Sequence, residues 1–118
     1  MVKCYYLVYG AAGIGVDDLD VKLGALLSVT FTRRESSYIG EYSLYEGPKA
    51  DRLSIEPNLY PFGDWSEPEF QQYPTLVYLS NTEGKNVDKA ARTEAEKVML
   101  AQQAELTLLK ETVLESSK

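Results

Sequence analysis

A chain of 118 residues with 44% apolar side chains, 8 Gly and 5 Pro is sized for one packed domain and excludes a disordered or low-complexity protein. Twelve Lys and Arg against eighteen Asp and Glu leave a net charge of −6, which argues against nucleic acid as a partner, because phosphate neutralisation needs a basic face. With no histidine and one cysteine, the chain has no Ser-His or Cys-His dyad, no imidazole base, no His-containing zinc site and no internal disulfide.

The run Lys3 to Tyr9 is almost continuously apolar and aromatic, as expected of a strand buried on both faces, and Cys4 within it reads as a buried structural thiol. Glycines at 10, 13 and 15 end the strand. Asp17 and Asp18 then stand where a helix begins, and Leu19, Leu23, Leu26 and Leu27 recur at helical spacing, which predicts a helix over Asp17 to Leu27. From Leu27 to Arg34 the period changes to two, with Val29, Phe31 and Arg33 alternating with Ser28, Thr30 and Thr32. After the polar break Arg34 to Ser37, Tyr38 to Glu46 is again strand-like, so the two strands form a hairpin. Gly47-Pro48-Lys49 is a turn, and Arg52 to Glu56 alternates like a half-exposed strand that ends at Pro57-Asn58.

The segment Asp64-Trp65-Ser66-Glu67-Pro68-Glu69-Phe70-Gln71-Gln72-Tyr73-Pro74 is an acidic, aromatic loop, and between Leu59 and Glu83 there are four acidic side chains and no basic one. Large aromatics beside unpaired carboxylates suit a protein partner with a basic face. Leu76 to Leu79 is too short for a helix and reads as a buried strand. From Asn86 onward Ala, Glu, Lys, Gln and Leu dominate without Gly or Pro, which predicts one long C-terminal helix with the apolar stripe Val87, Ala91, Ala95 and Val98.

These elements predict a single α+β domain over 1–118: residues 1–83 form the sheet and first helix, and 84–118 the C-terminal helix. The sheet is mainly antiparallel, of about five strands with two helices on one face, a variant of the ferredoxin-like arrangement. No window approaches the ~20 apolar residues of a membrane span, and the N-terminus lacks the charged start and apolar run of a signal peptide, so the expected location is the cytoplasm.

Two chemical signals weaken on inspection. The turn Gly10-Ala11-Ala12-Gly13-Ile14-Gly15 has the order Gly-x-x-Gly-x-Gly, not the dinucleotide fingerprint, and Asp17, Asp18 and Asp20 would repel a phosphate at the helix start. Even with Tyr45 and Lys49 in Tyr-x-x-x-Lys spacing, the chain is too short for a Rossmann sheet. Glu67, Glu69 and Asp64 could suggest acid-base or metal chemistry, but a glycosidase pair needs a larger cleft, and meeting a basic partner suits them better. No catalytic, cofactor or metal site is expected. The nine tyrosines, with Tyr38, Tyr42, Tyr45, Tyr60 and Tyr73 near the hairpin and loop, predict an exposed aromatic patch.

The run Phe31 to Tyr42, then Leu53 to Asn58, then Glu67-Pro68-Glu69-Phe70 and Tyr73 to Tyr78, resembles small immunity proteins of bacterial contact-dependent growth inhibition and related polymorphic toxin systems. The resemblance covers Met1 to Asn81 and leaves out the C-terminal segment. It implies a cytosolic, non-enzymatic inhibitor that binds a basic toxin C-terminal domain, frequently a nuclease, and occludes its active site. The expected toxin-binding surface comprises Tyr38, Glu41, Tyr42, Glu56, Asn58, Asp64, Trp65, Glu67, Glu69 and Phe70. Glu67→Lys combined with Glu69→Lys is expected to weaken that complex and leave the fold intact. The alternative is a small adaptor or assembly protein that binds a partner, or a second copy in a homodimer, through its C-terminal helix.

Overall fold

The N-terminal apolar run forms β1, Val2–Ala11, and in the computed structural model, which describes residues 1–117, this strand has neighbours on both sides. The chain continues through α1 (Val16–Leu27), β2 (Thr32–Ser36), β3 (Gly40–Tyr45), β4 (Arg52–Pro57), a 3-10 turn at Pro68–Phe70, β5 (Thr75–Asn81), α2 (Asn86–Leu100) and β6 (Leu106–Ser116). The strands form one six-stranded sheet in the order β2-β3-β4-β5-β1-β6, with every neighbouring pair antiparallel.

Both helices lie on one face. Leu19, Leu23 and Leu27 recur every fourth residue along α1 and are buried against Leu7 and Tyr9 of β1, Leu53 and Ile55 of β4, and Val77 and Leu79 of β5. Each such leucine contributes roughly 1.5–3 kcal/mol on full burial. Helix α1 stops at Ser28, whose φ of 56° is left-handed, and the Lys49 ammonium donates to the Leu27 carbonyl at 2.5 Å, placing a cation at the negative helix end. That stop moves the next strand: Val29 to Phe31 is a connection, with Phe31 in the core and edge-on to Tyr45.

The C-terminal segment corrects the expected architecture. Helix α2 ends at Leu100, reverse turns with Gln102 N–H donating to Met99 O and Gln103 N–H to Leu100 O follow, and residues 106–116 pair with β1 from Val2 to Ala11. A free β1 edge would leave a long row of backbone donors and acceptors unpaired, and satisfying them outweighs the modest helix preference of Leu, Lys and Glu. The five-stranded ferredoxin-like variant with a long terminal helix is thus replaced by six strands and two shorter elements in 84–118, of which Lys118 lies outside the described residues. The helix expected to hold a partner or a second copy is shortened to α2, Asn86–Leu100.

Helix α2 is also turned about its axis from the expected orientation. Val87, Ala91, Ala95 and Val98 face solvent, whereas Lys89, Thr93, Glu96 and Leu100 are buried. Polar contacts fix this rotation: Asn81 Nδ2 donates to Thr93 Oγ1 at 2.9 Å, and Arg92 pairs with Asp51 at 3.1 Å. Asp51 also accepts the backbone N–H groups of Thr82 and Glu83 at 2.7 Å each. Burial opposes its ionisation, but those N–H groups and then Arg92 hold its carboxyl below the usual range. No described helix is long and apolar enough to cross a membrane.

Candidate functional site

The sheet face away from the helices carries the candidate site. Strand alternation places Tyr6 and Val8 of β1, Arg52, Ser54 and Glu56 of β4, and Tyr78 and Ser80 of β5 on that face, because Leu7, Leu53, Ile55, Val77 and Leu79 point to the helices. The segment 58–74 folds back over one end of it. Tyr73 lies against Gly10, where an added Cβ would sit 2.5 Å from the ring.

One buried side chain organises this segment. Asn58 donates from Nδ2 to Phe70 O at 3.0 Å and Tyr73 O at 2.9 Å, and accepts at Oδ1 from the Glu67 N–H at 2.9 Å. Its backbone N–H donates to Pro74 O, and its carbonyl accepts from the Ser66 N–H. The segment is therefore a closed Ω-shaped loop with satisfied backbone groups. At its tip, Tyr60 N–H donates to Asp64 O, Gly63 takes a φ of +92°, and Leu59 bridges Trp65.

Two of the loop carboxylates, Glu67 and Glu69, are paired, contrary to the sequence reading. Lys110 of β6 contacts Glu67 Oε1 at 2.6 Å and Glu69 Oε1 at 2.8 Å, with its ammonium 5.9 Å from the Phe70 ring centre. Glu67 Oε2 accepts from the Tyr78 hydroxyl at 3.0 Å, and that hydroxyl also bonds Ser66 Oγ. Hydrogen bonding to Glu67 and then Glu69 raises the Lys110 ammonium above its usual value, and its hydrogen bond lowers Glu69. Burial pushes the Tyr78 phenol up. Lysines at 67 and 69 would face Lys110 without a counter-charge, so that double substitution disturbs the loop as well as any interface.

A cleft of about 390 Å³ opens between the loop and the sheet, lined chiefly by Tyr6, Arg52, Ser54, Glu56, Tyr60 and Tyr78. Glu56, 7% exposed, accepts from Ser54 Oγ at 2.7 Å; burial raises its carboxyl, while that hydroxyl and Arg52 oppose the rise. Tyr60 continues from the cleft to the end of the sheet, where its ring centre lies 5.0 Å from that of Tyr38 on the β2–β3 turn. A Cβ at Gly40 would sit 3.3 Å from the Pro61 side chain, so the turn and the loop tip pack together. Around this contact Tyr38, Leu59 and Phe62 are 60%, 47% and 76% exposed.

The ten expected contact residues therefore divide. Tyr38, Asp64 and Trp65 sit at the aromatic end, and Tyr42 is half-buried on β3 beside it. Glu67, Glu69 and Phe70 gather around Lys110. Glu56 forms part of the cleft, and Asn58 is fully buried as the loop anchor. Glu41 alone belongs to the opposite face, beside Arg33 and Asp17. Phe62, Arg52, Ser54 and Lys110 were not expected. Alternation of Arg52, Ser54 and Glu56 carried the signal for the cleft, whereas Lys110 was hidden by the helical reading of its segment.

Among the described residues no group of three or more Cys, Asp or Glu is placed to hold a metal ion. Gly10 and Ala11 belong to β1, and residues 12–15 are a plain connection to α1, with Asp17 paired to Arg33. Comparison of the chain with family models, curated proteins and solved structures finds no match.

Proposed function

We propose that this chain is a non-catalytic inhibitor of the immunity type, which works in the cytoplasm and seats the hairpin-and-loop end of its sheet on a basic toxin domain. The observation that carries the reading is the exposed cluster of Tyr38, Leu59 and Phe62 around the Tyr38–Tyr60 contact. Large apolar side chains held this far into solvent on a pinned loop have the composition and rigidity of interface anchors. The net charge of −6 favours encounter with a basic partner, and the resemblance of 1–81 to toxin-immunity proteins supplies its kind. No cofactor enters this reading.

The test is co-expression with the toxin domain encoded directly upstream of this chain, followed by calorimetry on the purified pair. Growth rescue with nanomolar affinity, lost in Tyr38→Ser/Phe62→Ser while the variant keeps its unfolding midpoint, is the expected result. Toxicity unrelieved by the wild-type chain, with no heat of binding, overturns the reading.

A second reading is favoured by one observation, the solvent-facing stripe Val87, Ala91, Ala95 and Val98 on α2, which suits an adaptor that holds its partner on that helix. Binding abolished by Ala91→Glu/Ala95→Glu and untouched by Tyr38→Ser/Phe62→Ser would select it.

A further inference from the structure

We propose that the cleft on the uncovered sheet face is a socket for one arginine side chain of the partner, with Glu56 as the counter-ion; this rests on the protein-binding reading above. The walls and floor differ in chemistry. Tyr6, Tyr60 and Tyr78 supply aromatic surface, and Ser54 and Glu56 supply hydrogen-bonding groups beneath it. Tyr60 belongs to both the cleft and the exposed aromatic end, so a partner seated on Tyr38 and Phe62 passes over the socket.

The balance of charge favours a cation. Glu56 and Arg52 are the charged side chains that line the cleft; behind them Glu46 meets Arg52 at 3.9 Å, and Glu67, which accepts from the lining Tyr78 hydroxyl, shares Lys110 with Glu69. Lys110 is committed to Glu67 and Glu69, while Arg52 is half-exposed and 3.9 Å from Glu46. Among the described residues no cation lies within ion-pair distance of Glu56; Arg52 acts on it only from further off, and its hydrogen-bond partner is the Ser54 hydroxyl. A buried carboxylate in that position gains most from a cation delivered into the cleft. Guanidinium fits better than ammonium here, because it stacks flat on phenol rings, forks two donors onto one carboxylate and is more weakly hydrated.

The socket is tested on the chain alone, so its failure and that of the partner reading are separable. Amide chemical shifts are followed during titration with N-acetylarginine methylamide, and in parallel with the lysine and glutamate analogues. The proposal expects saturable shifts at Ser54, Glu56 and Tyr78 with the arginine probe, at least tenfold weaker binding of the lysine probe, and no saturation with glutamate. Glu56→Gln, which keeps the size and the hydrogen bond to Ser54, should weaken arginine binding at least tenfold. In the partner complex the same variant should speed dissociation. Equal binding of arginine and lysine, saturation by the glutamate probe through Arg52, shifts confined to other residues, or an unchanged response in Glu56→Gln would each overturn the assignment. A normal probe response with no toxin binding would retain the socket and discard the toxin.

Discussion

The ring of Tyr73 occupies the space a side chain at Gly10 would need, with the virtual Cβ 2.5 Å from its Cγ, and this contact seats the 58–74 loop on the sheet. Gly10→Ala forces the ring or the strand to move. The expected loss is about 1–3 kcal/mol, the usual cost of overpacking. Gly10→Ala combined with Tyr73→Ala should cost less than the sum of the two single changes. Urea unfolding of the four proteins in the cycle measures this coupling; strict additivity would show that the ring is not held there.

Asn58 serves the site from inside the loop, as a fully buried anchor. In Asn58→Asp the acceptor to the Glu67 N–H survives, but the donors to Phe70 O and Tyr73 O are lost beside a newly buried charge. A destabilisation of about 2–3 kcal/mol is expected from the unsatisfied groups. Hydrogen exchange should accelerate in the loop first. Exchange confined to the termini would contradict the anchoring role.

Glu56 sets a pH dependence of definite sign. Its folded-state carboxyl titrates above the usual value, so the folded chain holds a proton that the unfolded chain has released. Between those two values stability falls as pH rises, and the penalty is complete above the folded value. Glu56→Gln removes this dependence. Its stability relative to wild type should therefore grow from about pH 4, the ordinary carboxyl range, toward neutrality. A difference that is flat or shrinks with pH would show that burial does not disfavour the ionised group. Asp51, shifted downward, has the opposite slope in both proteins and cancels in the comparison.

Ending the chain after Gln102 removes β6 and bares the β1 edge from Val2 to Ala11. Loss of cooperative unfolding and aggregation is the expected outcome, read by light scattering and circular dichroism. A soluble, fully folded truncated monomer would mean that this strand is dispensable.

Where local pattern and long-range pairing agree, the sequence was a sufficient guide. Leu19, Leu23 and Leu27 announce α1, and the alternation in 52–56 places Ile55 toward the helices and Glu56 away from them. The pattern misleads where distant partners decide. Leu106 to Val113 has helix-forming composition and becomes a strand because β1 offers an open edge. Thr93 turns inward because Asn81 is there to bond it, leaving the apolar stripe of α2 outside. Glu67 and Glu69 read as free charges because Lys110 reaches them only through β6. Of the five tyrosines expected near an exposed patch, Tyr38 alone is exposed; Tyr42, Tyr60 and Tyr73 are half-buried and Tyr45 packs against the core.

The most direct measurement is hydrogen exchange on the chain mixed with the proposed toxin partner against the free chain. The account predicts protection at 36–42 and 59–66, extending to 52–56, with the solvent face of α2 unchanged. Protection of α2 with an unaltered hairpin and loop would contradict it.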